Sequence, residues 1–389
     1  VIWIAGIFFS RFLQSVATIA ACFLFLASED WKSSFASNFK TLLGISFAGI
    51  FIIYLLSGFN STNHAEYFNI LKNKIPFLFI PVSLIAVKSL KKEQQKLVHY
   101  FFILCCLISS VWSYIQYLPN AALYTNLYAE GKVIPTLIHH VSLSILICIA
   151  VLFVLYNLIK VSSTIEKIVN FILLIWFIYF IHILSVRTGI VLLYFSVFIF
   201  GIITMFTQKK PVFTIGLILL LIFSAVISYQ KIPTIKSKIA YTFYGISQYK
   251  NQQDTANQVS DSRRILSDKI GIELIQKNKL SGVGLGDIQD EMNVIYQQRF
   301  PQFKKDVFSH IHNQYLYTVC GVGIILGVLF CICLLLPLIQ FVKEKNLVYS
   351  LAYLMLLLLM CWEPFIENQL GTSIFLVVSC LGFLNNKEA

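Results

Sequence analysis

The sequence predicts an all-α polytopic membrane protein, and three observations carry that expectation. Of its 389 residues, 58% are hydrophobic and 12% charged, whereas soluble domains run near a quarter charged. Mean hydropathy is +0.77. The apolar residues, with 34 Phe among them, lie in unbroken runs of about helix-spanning length, without the two-residue alternation of a transmembrane barrel. These facts exclude an ordinary cytosolic enzyme, a nucleic-acid module and a disordered chain.

Eleven apolar runs fall near residues 2–28, 38–59, 75–87, 97–118, 133–159, 168–185, 189–207, 211–228, 314–342, 347–362 and 370–384. The first begins at Val1 without a basic leader or a small-residue cleavage site, so it reads as a membrane helix and not a signal peptide. Arg11 interrupts it and must either snorkel or face the bundle interior. The third run is short and carries Pro76 and Pro81, which suits a tilted or re-entrant segment. The expected organisation is transmembrane helices over 1–228, a loop domain over 229–313 and transmembrane helices over 314–389.

Charge sets the expected orientation. One set of alternate connections holds thirteen lysines, from Lys32 and Lys40 to Lys345 and Lys387; the opposite short loops hold Lys72, Lys74, Lys132 and Arg187. The positive-inside rule places the first set, and the C-terminus, in the cytoplasm. Val1 is then outside, which predicts one helix upstream and twelve in all. The net charge of +12 reads as topogenic charge and attraction to anionic lipid, with no nucleic-acid partner. The nine Cys all lie in or beside apolar runs, so neither a disulfide framework nor a zinc site is expected.

Residues 229–313 form a polar segment of 85 residues, placed outside by the same alternation. It holds twelve Lys or Arg and eight Asp or Glu. A helix is predicted from Asp261, with Ile265, Leu266, Ile270, Leu274 and Ile275 as its apolar stripe and Lys277 near its end. A glycine-rich turn, Ser281-Gly-Val-Gly-Leu-Gly286, follows. It lacks the preceding strand of a dinucleotide fingerprint, and reads as a tight turn back to the membrane. A second helix is predicted from Asp287, ended by Pro301.

The candidate chemistry gathers on the outer side. Arg187, between two apolar runs, reads either as an interfacial anchor or as a phosphate clamp facing a cavity. Arg263 and Arg264 open the loop helix, where cations oppose the helix dipole; they read as a solvated pair or as an anion site. His312 is either a cap residue or a general base. His310 and His312 lack companions at metal-ligand spacing, so no metal and no cofactor is expected. Glu363 and Glu367 can hold an arginine or orient a histidine. His139, His140 and His182 remain open between packing and function. Cations and a histidine beside lipid suggest a substrate with an anionic head and a lipid tail.

Three motifs make the chain resemble the O-antigen ligase family, which includes many O-antigen polymerases. The first is Ser185-Val-Arg187-Thr188-Gly189. The second is Ser262-Arg263-Arg264, then Ser281-Gly282-Val-Gly284, then His312-Asn313-Gln-Tyr315-Leu316. The third runs from Glu363 through Glu367 to Gly371. Lys72-x-Lys74-Ile-Pro76 with Pro81 resembles Bacteroidota members. The resemblance implies a GT-C-like, metal-independent glycosyltransferase of eleven or twelve helices in the bacterial inner membrane, with its large loop periplasmic. The implied donor is a glycan on undecaprenyl diphosphate, and the implied acceptor is lipid A–core for a ligase or another lipid-linked repeat for a polymerase. It places Arg187 and one of Arg263 and Arg264 on the diphosphate and His312 on the acceptor hydroxyl, with Asn313, Glu363 and Glu367 in support. Gly282 lies 19 residues after Arg263 and 18 after Arg264, a departure from the fifteen intervening residues of some polymerases that leans slightly to ligase. The rival classes are a transporter, which would show inverted repeats and mid-membrane polar groups, and a non-enzymatic envelope anchor, which would not require Arg187 at a helix hairpin.

Overall fold

The structure is a computed structural model that describes residues 1–27, 31–86, 90–251, 260–301, 303 and 308–384. The described elements are helices, as expected for a polytopic membrane protein. Seven are long and apolar enough to cross a membrane: Leu42–Phe59, Lys92–Tyr128, His140–Lys160, Thr164–Leu184, Arg187–Gln208, Pro211–Lys231 and Gln314–Lys343. The other four apolar runs form shorter helices. Arg11–Leu26 and Gln369–Leu384 have 16 residues each, Leu347–Leu359 has 13 and Ile75–Ala86 has 12. At 1.5 Å per residue, even sixteen residues span about 24 Å, less than a hydrocarbon core of about 30 Å.

The first run splits where Ser10 adopts an extended conformation, giving Ile2–Phe9 and Arg11–Leu26; Arg11 itself is exposed. Pro81 lies inside Ile75–Ala86, so the third run is a single helix.

The chain forms two compact units. The first comprises Val1–Ser15, Leu90–Thr242 and Asn346–Leu356. Its centre is His140–Lys160, with sixteen buried residues, apolar on all sides as a core helix must be. Lys92–Tyr117, Thr164–Leu184 and Arg187–Gln208 pack around it. Gly189 lets one helix approach closely: a Cβ there would lie 2.6 Å from Ser144 Cβ. His99 stacks on Phe153 at 4.3 Å and bonds Tyr349 at 2.8 Å.

The second unit comprises Val16–Ser89, Phe243–Lys345 and Leu357–Ala389. Leu42–Leu56 packs along Gln314–Lys343, and Phe47, Phe77 and Phe375 form an aromatic core with ring separations of 5.3–5.9 Å. Helix Gln314–Lys343 breaks at Gly323, whose φ is +81°. The glycine-rich turn inserts there. Val283 N donates to Cys320 O at 2.9 Å, Gly284 N to Gly321 O at 3.0 Å and Ile324 N to Lys279 O at 2.8 Å. The turn thereby satisfies backbone groups that the break frees.

Both predicted loop helices form, as Ser260–Lys277 and Ile288–Arg299. Ile288, Met292, Ile295 and Tyr296 are buried as predicted. In the first helix Ile270 and Leu274 are buried, but Ile265 is exposed. One element was not anticipated: Pro211–Lys231 is followed directly by a helix over Pro233–Asn251. Proline at its first position leaves no helical bond unmade.

Candidate functional site

In the first unit the site is built around a two-residue hairpin. Ser185 ends Thr164–Leu184 in the left-handed conformation at φ 48°, and its hydroxyl donates to His182 O at 2.7 Å. After Val186 the chain re-enters a helix at Arg187. Neither this helix nor His140–Lys160 has a side-chain cap on its first turn, and the Gly189–Ser144 approach sets the two helix starts side by side. Uncapped N–H groups and parallel dipoles make this end electropositive.

Arg187 opens onto a cavity of ≈ 550 Å³. Lys238, Ser185 and Ser228 supply further polar lining, and Ile190, Val191 and Ile235 supply apolar wall. Arg187 Nη1 donates to Thr242 Oγ1 at 3.0 Å, and Lys238 Nζ sits 5.0 Å above the Tyr241 ring. An apolar trough with cations at one end suits an amphiphile with an anionic head. His182 also lines it, but both ring nitrogens are engaged, Nδ1 with Ile178 O at 2.6 Å and Nε2 with Tyr194 Oη at 3.0 Å. That favours its packing role. His139 and His140 lie with rings 4.4 Å apart.

In the second unit a chain of polar contacts centres on His312. Arg264 Nη2 pairs with Glu363 Oε1 at 2.7 Å. Glu363 Oε2 lies 3.9 Å from His312 Nδ1, and the histidine side chain is 15% exposed. Ser309 Oγ lies 2.9 Å from His312 Nε2. His312 backbone N–H donates to Asp268 Oδ1 at 2.8 Å. Burial pushes the Asp268 carboxyl above its ordinary pKa; the His312 N–H and the Arg264 charge oppose that shift.

Asn313 caps the following helix, accepting from Tyr315 N at 2.9 Å and Leu316 N at 3.0 Å and donating to Cys361 O at 3.0 Å. Below it, Gln314 Nε2 donates to Glu367 Oε1 at 2.5 Å and Gln314 Oε1 accepts from Ile366 N at 3.0 Å. Lys74, fully buried, pairs with Glu367 at 3.2 Å and donates to Ile366 O; Tyr54 donates to the same carboxylate.

The structure thus brings together Arg264, His312, Asn313 and Glu363. It gives Glu367 a different task, holding Lys74, Tyr54 and Gln314. It also separates the two loop arginines: Arg264 is paired with Glu363, whereas Arg263, half-buried, has no ion pair among the described residues. His310 and His312 lie close together. The segment is not helical, and their rings lie 4.5 Å apart. Among the described residues no three His, Cys, Asp or Glu are grouped to hold a metal.

Sequence reasoning missed Asp268, Ser309, Lys74 and Lys238 as parts of these clusters. Asp268 was within reach, four residues after Arg264 and so on the same helix face. Nothing local signals Lys74, whose carboxylate partner is 293 residues away.

Residues 172–331 match the family model described as O-antigen ligase. The matched stretch contains Arg187, Arg263, Arg264, His312 and Asn313, and ends before Glu363 and Glu367. No curated protein matches the chain.

Proposed function

We propose that this chain, a member of the O-antigen ligase family by its match over residues 172–331, moves a glycan from undecaprenyl diphosphate to an acceptor hydroxyl, with lipid A–core as the acceptor. The observation that carries the reading is the Arg264–Glu363–His312 cluster: an imidazole backed by a carboxylate that an arginine holds in place. The lysine asymmetry supports a reaction at the outer face of the bacterial inner membrane.

A sugar hydroxyl is a weak nucleophile and needs a base as it attacks the anomeric carbon. His312 takes that proton, and Glu363 stabilises the imidazolium that forms. The diphosphate is already a competent leaving group, and fixed cations stabilise its departing charge. Arg187, beside its apolar cavity, and Arg263, which has no ion pair among the described residues, are the candidate diphosphate ligands. Arg264 is spent on Glu363, so its role is to hold the carboxylate. Arginines take the part a divalent metal plays in other phosphate sites, and the reaction is expected to proceed without one.

Transfer with purified lipid-linked donor in EDTA tests the assignment. Loss of a general base typically costs on the order of 10²–10⁴ in rate, so His312→Ala is expected to insert normally and transfer almost nothing. Arg187→Lys is expected to fail as well, because an ammonium cannot make the bidentate fork. Full activity of His312→Ala, or activity lost in EDTA and restored by a divalent cation, overturns the mechanism.

A polymerase acting on a second lipid-linked repeat uses the same chemistry. The 19- and 18-residue offsets of Gly282 from Arg263 and Arg264 favour the ligase. Lipopolysaccharide from a deletion strain separates the two: unlinked long chains mark a lost ligase, and a core bearing one repeat marks a lost polymerase.

A further inference from the structure

We propose that the Ser309 hydroxyl is a catalytic group that relays the acceptor's proton to His312, so that the acceptor meets the serine and not the imidazole. This rests on the assignment of His312 as base.

The geometry around the ring points to a relay. His312 Nδ1 is buried, makes no hydrogen bond among the described residues and lies 3.9 Å from Glu363 Oε2. A proton on Nδ1, held there by the carboxylate, leaves the lone pair on Nε2. Ser309 Oγ sits 2.9 Å from Nε2, and in that tautomer the serine hydroxyl is the donor and the lone pair is engaged. An incoming sugar hydroxyl therefore finds one nitrogen facing a carboxylate and the other covered by a serine. Ser309 itself is only half-buried, and its two oxygen lone pairs are acceptors for a sugar O–H. The order Glu363, His312, Ser309 is that of an acid, a base and a hydroxyl, the arrangement by which proteins lower the cost of moving a hydroxyl proton.

The step balances without any further reactant. The acceptor O–H bond breaks and its proton passes to Ser309 Oγ as the serine proton passes to His312 Nε2. The acceptor oxygen bonds the anomeric carbon while the bond from that carbon to the diphosphate oxygen breaks, and the diphosphate leaves with the electron pair. The serine ends as it began, and the imidazolium faces Glu363.

The test compares Ser309→Ala, Ser309→Thr and His312→Ala in the purified full chain, with lipid-linked donor and varied acceptor. Tryptophan-fluorescence melting verifies that each variant is folded. If the relay operates, Ser309→Ala lowers kcat by on the order of 10-fold or more, in the range of a proton-transfer contribution, while the acceptor KM stays within about twofold. Ser309→Thr, which keeps a hydroxyl, retains most of the rate. In mixed H₂O and D₂O the wild-type rate falls along a curve, as two protons in flight require, and the residual rate of Ser309→Ala falls along a line. Wild-type kcat in Ser309→Ala overturns the relay, as does a slow Ser309→Ala whose isotope dependence stays curved, since the serine then only orients the ring. The His312→Ala arm separates the two claims. An active His312→Ala removes the base assignment itself, whereas an inactive His312→Ala beside an active Ser309→Ala removes only the relay.

Discussion

Lys74 has no exposed surface, pairs with Glu367 and lies 4.5 Å from the Tyr54 ring. Breaking a buried ion pair leaves an uncompensated charge and typically costs about 3–5 kcal/mol. Lys74→Met is therefore expected to lower stability by about that amount, read as a lower melting temperature in detergent. The double variant Lys74→Met with Glu367→Gln removes both charges while keeping an oxygen for Gln314 and Tyr54, and is expected to recover most of the loss. Asp268 gives a pH signature. Its folded pKa lies above the ordinary value because burial penalises the carboxylate. The folded state then binds this proton more tightly than the unfolded state, so this group adds stability as pH falls through the shifted pKa. Asp268→Asn keeps an oxygen for the His312 N–H and removes the charge. The variant is expected to be at least as stable as wild type at pH 7, with the difference shrinking on acidification in melting curves taken across pH. Lys74 could not be placed from sequence, since its carboxylate partner is 293 residues away; Asp268 shares a helix face with Arg264, but its bond to the His312 N–H spans 44 residues.

At the scale of elements, the glycine-rich turn shows how local pattern and tertiary packing divide the work. The turn was predictable from its three glycines. Its reason was not, because the partner is the break at Gly323 in another helix. Gly282 has φ +69°, and a Cβ there would lie 2.4 Å from Gly321 O. Gly282→Ala faces a left-handed cost of about 1–2 kcal/mol before any clash is counted. It is expected to loosen Ser260–Lys277 and Ile288–Arg299 together, seen as faster hydrogen exchange in both. Asp287 shows the same division. It precedes Ile288–Arg299 as the sequence suggested, but its carboxylate accepts from Thr62 N and Asn63 N, both at 2.7 Å, and leaves its own helix without a side-chain cap. In the other unit Gly189→Val places branched bulk against Ser144. It is expected to push Arg187–Gln208 off His140–Lys160 and to abolish transfer, as a donor-binding assay would show.

At the scale of the whole molecule, the orientation prediction rests on thirteen lysines in one set of connections against four cations in the other. A single cysteine at Lys92→Cys, in a background without the nine native thiols, is expected to be shielded from impermeant reagent in intact cells. One at Asp290→Cys is expected to label; the reverse pattern would invert the chain. What the sequence determined by itself was the solvent. Long apolar runs must be helical in lipid, because no water is there to satisfy the backbone, and this made the all-α membrane class legible. It also determined the chemical cast of Arg187, Arg264, His312 and Glu363, because charged and titratable groups are scarce in such a chain and those that persist beside apolar runs stand out. Only the tertiary structure decided which arginine Glu363 holds, that Glu367 serves Lys74 instead of His312, and that Ser309 covers the histidine. Pairing of charges is fixed by distances of a few ångströms between segments up to 293 residues apart, and chain packing sets those distances where local periodicity cannot.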